Sequence, residues 1–330
     1  MTAQGISLAV VGASSAFGGA LIGALPMQPL PLSALHLLDP RDTASGRIEF
    51  DGHYHVVAAI EDFDFAGTDL AIFATGPELA RQHIPRARQA GCLVIDLSGA
   101  SSLDPGVPLV VAGVNDEMLT GLAPGDLIAS PDPLTVQLCH LLKPLSDAGF
   151  PPQRVDSMAC RAVSMLDKSG SETLAYETVQ LLNMRQPERF GLGRQIAFNL
   201  LPASADVAER IGAETRKVLD KQEFEINLRV IDSPVFHGNS LQCFIDFAGV
   251  CELARCRQFW ADSPAIELYE AEAPSAVTEA AGNTHIVLGG LESRDKERPG
   301  ISVWSVADGL LGGVAGNALA IAGILVKSVL

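Results

Sequence analysis

Apolar and polar positions follow two different rhythms along this chain. In the first third, unbroken apolar runs occur at Ile6 to Val11, Leu35 to Leu38 with a closing Asp39, Leu70 to Ala74, and Leu93 to Leu97. Such runs suit parallel strands that are covered on both faces. Between them, the stretches to Leu25 and to Ala90 have helical composition, so strand and helix alternate as in a doubly wound sheet. Around Ser130-Pro131-Asp132-Pro133 a further helix begins, with Leu134, Leu138, Leu141 and Leu145 on one face. Asp132 suits its N-cap and Pro133 its first turn. From about Val155 the period becomes two, as in Glu223 to Val230 and Leu241 to Phe247. That rhythm predicts an antiparallel sheet with one face covered by helices such as Asp206 to Leu219.

Composition adds bounds to this picture. With 330 residues, 48% hydrophobic and 19% charged, the chain can build a large core, and at roughly 100–200 residues per domain it suggests two domains. The apolar stretch Gly309 to Val326 is interrupted by Gly312, Gly313, Gly316, Asn317 and Gly323; it reads as a small-residue core helix, and no membrane span is expected. The net charge of −16 disfavours nucleic acid and anionic lipid as partners. Six scattered cysteines include no CxxC, and Cys251-x4-Cys256 has no matching His or Cys pair nearby, so no metal is expected. No Lys or Arg precedes Arg41, and nothing there resembles a secretion signal, which predicts a cytoplasmic protein.

The first strand runs into Gly12-Ala13-Ser14-Ser15-Ala16-Phe17-Gly18, a strand–glycine turn–helix pattern of the dinucleotide-binding kind. Gly12, Ser14, Ser15, Ala16, Phe17 and Gly18 are the candidate phosphate-binding residues, although Ser15 holds a position where glycine would let a pyrophosphate approach. A tight turn with no ligand is the competing reading. Asp39 lies about 20 residues beyond the turn, where an acid accepts from a ribose 2′-hydroxyl. Arg41, two residues on, could instead take a 2′-phosphate, so NAD and NADP both remain open. His53 and His55 alternate on one face of a strand and read as solvated edge residues. The mixed charges from Glu292 to Arg298 read as a solvated loop.

Over nearly its full length the sequence resembles the aspartate-semialdehyde dehydrogenase family. The resemblance is carried by Val10-Val11-Gly12-Ala13, Val107 to Val111 with Asn115, Thr135 to Leu138 into Lys143-Pro144-Leu145, Ala162-Val163-Ser164, Glu214 to Leu219, and Asp308-Gly309-Leu310 with Asn317. It implies a Rossmann-type NAD(P)-binding domain at 1–129 completed by a C-terminal helix at 308–330, and an α+β substrate and dimerisation domain at 130–307. Thr75, Gly76 and Asn317 match retained cofactor positions.

The family attacks an aldehyde with a cysteine thiolate, passes hydride to NADP and releases a thioester to phosphate. Its nucleophile sits in an Asn-Pro-Asn-Cys-x-Thr turn, which here reads Ser130-Pro131-Asp132-Pro133-Leu134-Thr135. The thiol position is therefore Pro133. The histidine position falls on Asn239, the carboxylate-holding arginine on Asp232, a phosphate arginine on Ser102, a glutamine on Arg161 and a lysine on Gly312. A glycine-rich loop is replaced by Met165-Leu166-Asp167-Lys168. Losing a covalent nucleophile removes on the order of 10^6 in rate.

The resemblance thus points to a degenerate, usg-type paralogue: a nucleotide-binding or partner-binding homodimer, able to pair with an active relative. Two alternatives stand. One is an NAD(P)-dependent oxidoreductase acting on an aldehyde or semialdehyde of amino-acid biosynthesis by altered chemistry, a hydride transfer that needs the cofactor but no cysteine and for which Asn317, Thr75 and Gly76 are retained; Cys160, Cys139 and His237 are the candidate groups for a relocated Cys/His chemistry, against which buried thiols and a loop histidine stand. The other is a structural dimer.

Overall fold

A computed structural model describes residues 5–188, 191–220, 224–249, 251–270, 273–294 and 299–330. The chain divides into two units, Met1–Asp132 with Val314–Leu330, and Pro133–Gly313.

The first unit contains β1 (Ile6–Val11), α1 (Ala16–Ala24), β2 (Leu32–Asp39), β3 (Arg47–Phe50), β4 (His53–Ala59), β5 (Leu70–Phe73), α2 (Pro77–Gln89), β6 (Leu93–Asp96) and β7 (Leu127–Ala129). Its seven-stranded sheet has the order β3-β4-β2-β1-β5-β6-β7. Every neighbouring pair is parallel except the edge pair β3 and β4. β1, β5 and β6 are buried along their whole length, as their unbroken apolar runs require. Ala80, Ile84 and Ala87 of α2 share a core with Val11, Phe73 and Val94. β4 lies one strand in from the sheet edge, between β3 and β2, and on it His53 is exposed and His55 half-buried.

The second unit opens with α3 (Pro133–Asp147) and continues through β8 (Pro152–Arg161), α4 (Asp167–Leu182), β9 (Leu201–Pro202), α5 (Ala205–Val218), β10 (Glu225–Asp232), β11 (Asn239–Phe247), α6 (Leu253–Ala261), β12 (Ile266–Leu268), β13 (Ile286–Ser293) and β14 (Gly300–Ala307). The order of its sheet is β12-β13-β14-β11-β8-β10-β9. This sheet is mixed, which corrects the expected antiparallel one: β8 pairs with β10, and β12 with β13, in parallel. The chain between β8 and β10 carries α4 and α5, and a helical crossover of that kind returns a strand in the same direction. β8, β11, β14 and β13 remain antiparallel.

One face of the second sheet, including Val155, Leu241 and Val303, packs under Leu134, Leu138, Leu141 and Leu145 of α3, Ile211 of α5 and Trp260 of α6. The Trp260 indole N–H donates to the Leu141 carbonyl at 2.9 Å. The opposite face presents Met158 at 48% exposure and Phe244 at 41%. Arg294 stacks over Phe244 at 5.3 Å and donates to Asp246 at 2.6 Å. The rest of the expected charged loop, Asp295 to Arg298, lies outside the described residues.

Gly309–Ser328 is the one helical segment among the described residues long and apolar enough to cross a membrane. Its second half is α7 (Asn317–Ser328), whose Asn317, Leu319, Ile321, Ala322 and Leu325 are buried in the protein.

Candidate nucleotide and anion sites

β1 lies between β2 and β5, so the chain leaves it first to one side and then to the other. In open α/β sheets, a crevice for ligands forms at the carboxyl ends of the strands at such a reversal. Two loops meet here. Gly12 has φ +86°, and a Cβ on it would collide with the Ala74 carbonyl oxygen; a Cβ on Gly18 would collide with the Gly12 carbonyl. Both glycines are therefore demanded by backbone packing.

Ser15 is different. Its hydroxyl accepts from the Gly18 N–H at 2.9 Å and donates to the Ala74 carbonyl at 2.8 Å. The side chain at the position where glycine was expected is thus folded inward as the N-cap of α1, a role worth about 0.5–2 kcal/mol. Ala16 and Phe17 follow in the first turn, half-buried. Across the crevice Thr75 is half-buried, while Gly76 is the N-cap of α2 and has open space beside it.

The Asp39 carboxylate ends β2, buried, and accepts from the Ser14 N–H at 3.2–3.3 Å. Burial pushes its carboxyl above the ordinary value while the Ser14 bonds pull against that shift. Arg41 is exposed and bound to Asp62 at 2.6 Å. Asn317 is committed elsewhere. It donates to the Val110 carbonyl and the Ser130 hydroxyl at 3.0 and 2.8 Å, and accepts from the Ala112 N–H at 2.8 Å. Both of its amide hydrogens are spent on tying α7 to the 110–130 segment. Ser102 is buried, in a loop gathered by the buried Asp96, which accepts from the N–H and hydroxyl groups of both Ser98 and Ser101. Its hydroxyl donates to the Gly99 carbonyl at 3.3 Å.

In the second unit Pro133 is buried at the start of α3. A Cβ on Gly313 would stand 2.7 Å from the Pro133 Cβ, and one on Gly312 would stand 2.9 Å from the Thr284 carbonyl oxygen. Pro133, Gln137, His140, Thr284, Asp308 and Gly312 help line a cavity of about 40 Å³. Gln137 donates to the Ser305 hydroxyl at 2.8 Å.

Three further candidate positions form a row. Arg161 pairs with Asp232 across β8 and β10. Ser240 pairs with Cys160 across β11 and β8, which sets Asn239 opposite Arg161. Facing residues on neighbouring strands project to the same side of a sheet, so Asn239, Arg161 and Asp232 share one face. The Arg161 Nε donates to Asp232 Oδ1 at 2.7 Å, with side-chain exposures of 11% and 12%. Asn239, 1% exposed, accepts from the Ala162 N–H at 2.9 Å, while its Nδ2 is a buried donor with no partner. Leaving such a group unpaired costs about 1–3 kcal/mol.

The relocated groups are dispersed. Cys160 follows strand alternation onto the opposite face from Arg161. Cys139 is fully buried, and burial pushes its thiol well up. His237 is exposed, and the following Gly238 has φ +90°; the stretch turns there and is not the extended strand that would aim His237 beside Asn239. Asp167, in the loop that replaces the glycine-rich one, adopts φ 63° and ψ −174°, a region otherwise held almost only by glycine. Cys251 and Cys256 bring their sulfurs to 2.8 Å, but among the described residues no group of three or more His, Cys, Asp or Glu could hold a metal ion.

Comparison with known proteins finds a family match in each part of the chain. Residues 7–122 match the family model described as semialdehyde dehydrogenase, NAD binding domain, and residues 142–312 match semialdehyde dehydrogenase, dimerisation domain. A USG-1 protein homolog of Pseudomonas aeruginosa is 35% identical over 98% of both chains. An aspartate-semialdehyde dehydrogenase of a Shewanella species is 30% identical, also over 98% of both. The crystal structure of aspartate semialdehyde dehydrogenase II from Vibrio cholerae, complexed with ASA, superposes with a TM-score of 0.94 at 29% identity, covering 98% of this chain and 99% of that one.

Proposed function

The chain belongs to the semialdehyde dehydrogenase family, and we propose that it is a nucleotide-binding homodimer without the thiol chemistry of the aspartate-semialdehyde dehydrogenases. The observation that carries this reading is Pro133, the buried first residue of α3, at the position the resemblance assigns to the thiolate. Proline has no nucleophilic atom, and Cys139 and Cys160 offer no substitute at that helix start. Asn239 compounds the loss, because a neutral amide cannot take up a proton as imidazole does.

The retained residues tell a complementary story. Asn115 bonds the Val111 N–H and the Leu109 carbonyl. The Thr135 hydroxyl donates to Glu214, and Asp308 accepts from the N–H groups of Leu310, Leu311 and Gly282. These groups hold backbone and helices in place. What the chain keeps builds the fold, and what it changes is chemistry.

The first unit's residues fit a nicotinamide dinucleotide. Gly12, Ser14, Ser15, Ala16, Phe17 and Gly18 would hold its phosphates at the α1 N-terminus, with Thr75 and the open Gly76 opposite. Such a cofactor, when bound, supplies a hydride acceptor or donor. Asp39 favours a free ribose 2′-hydroxyl, and Arg41 is engaged by Asp62, so NAD is favoured over NADP. The homodimer rests on the dimerisation-domain match and on the open sheet face bearing Met158 and Phe244; pairing with an active relative would use that same face. The alternative, an oxidoreductase acting by altered chemistry, draws on Thr75 and Gly76 alone once the Asn317 amide is committed.

Calorimetric titration with NAD, NADP and their reduced forms tests the nucleotide site. NAD is expected to bind more tightly than NADP, and Asp39→Ser to reverse that order. Absence of binding at millimolar nucleotide would leave only the structural dimer.

A further inference from the structure

We propose that Arg161, held by Asp232, is the anion-binding group of a small-carboxylate site on the second unit. This goes beyond the nucleotide reading and does not depend on it.

The argument starts from the guanidinium. Its Nε is committed to Asp232 Oδ1 at 2.7 Å, and both side chains are nearly nine-tenths buried. Among the described residues the two Nη groups meet no acceptor. A guanidinium is always charged and presents donors in a rigid planar fork, so fixing Nε leaves the Nη edge oriented for two parallel bonds to one planar carboxylate.

The neighbouring strand supplies a second donor. Asn239 lies opposite Arg161, and its amide orientation is fixed because Oδ1 accepts from the Ala162 N–H at 2.9 Å. That leaves Nδ2 as a buried donor with no acceptor. The buried Nδ2 calls for an acceptor, and the Arg161 guanidinium lies on the adjacent strand of the same sheet face.

Charge selects the ligand. Arg161 and Asp232 together carry no net charge, so a monoanionic carboxylate group is accommodated, whereas a phosphate dianion would feel the Asp232 carboxylate more strongly. At position 232 an acid therefore serves to aim the basic group at position 161.

The test is calorimetry on the full chain, without nucleotide, using acetate, succinate, L-aspartate and inorganic phosphate. Saturable carboxylate binding in the millimolar range is expected, with phosphate weaker. Arg161→Gln should weaken carboxylate binding at least about tenfold, while Asp232→Asn, which keeps an Oδ1 acceptor for the Arg161 Nε and removes the competing negative charge, should tighten it. A purely structural ion pair would not give those opposite signs. Because Arg161→Gln strands a buried carboxylate and could unfold the unit, the double variant R161Q/D232N removes the pair together and should also lose binding. No saturable binding to the unaltered protein, equal affinity in the double variant, or phosphate binding more tightly than acetate would each overturn the proposal.

Discussion

Buried thiols govern how this protein should respond to alkali. Burial pushes Cys92 from 9.0 to about 11, and Cys243 and Cys256 to about 12. The unfolded chain releases these protons first, so the stability held below pH 9 is lost as pH rises toward 12, at up to about 1.4 kcal/mol per pH unit for each thiol. Urea unfolding midpoints measured from about pH 8 to about 11 should fall steadily above pH 9, and the fall should be smaller in Cys243→Ala. A flat profile would mean that these thiols ionise in the folded state.

Other residues mark what a sequence can disclose. Gly12 and Gly18 were legible because their spacing after a strand has one geometric meaning. Ser15 was not, because a serine in place of glycine gives no sign whether its hydroxyl faces a ligand or caps its own helix. Arg161 and Asp232 each looked like a lost function in isolation. They stand 71 positions apart, and only strand register makes them partners.

At the level of elements, α3 was fully legible: its four leucines follow helical period, and all four are completely buried. Leu141 also carries the carbonyl that accepts from Trp260. Leu141→Ala should destabilise the protein by about 2–5 kcal/mol, read as a shift in the urea midpoint, with secondary structure retained at low denaturant. A loss under about 1 kcal/mol would be below the usual cost of truncating a buried leucine and would contradict the packing of α3 on the second sheet. The direction of β10 was not legible. Period two records which side chains are covered, and it is the same whether a neighbouring strand runs parallel or antiparallel. The direction follows from α4 and α5 lying between β8 and β10, which is a property of connection.

For the whole molecule, the balance of −16 weighs against nucleic acid and anionic lipid as partners, and within that balance the Asp232 carboxylate is matched by Arg161 on the neighbouring strand. Arg161 sets a basic side chain one strand away from the position that the resemblance gives to an arginine, Asp232. At the two other positions that the resemblance gives to basic residues, a side chain on Gly312 would meet the Thr284 carbonyl, and Ser102 is buried in the loop gathered by Asp96. In the two units, Asn115, Thr135, Glu214, Asp308 and Asn317 hold backbone and helices in place.

The most direct test is an assay of the purified protein with aspartate semialdehyde, inorganic phosphate and either NAD or NADP, following reduced nucleotide by absorbance. With Pro133 at the start of α3, no turnover above the uncatalysed background is expected. Sustained phosphate-dependent reduction at even about 1 s⁻¹, within the ordinary range of enzymes, would contradict the loss of the family's thiol chemistry.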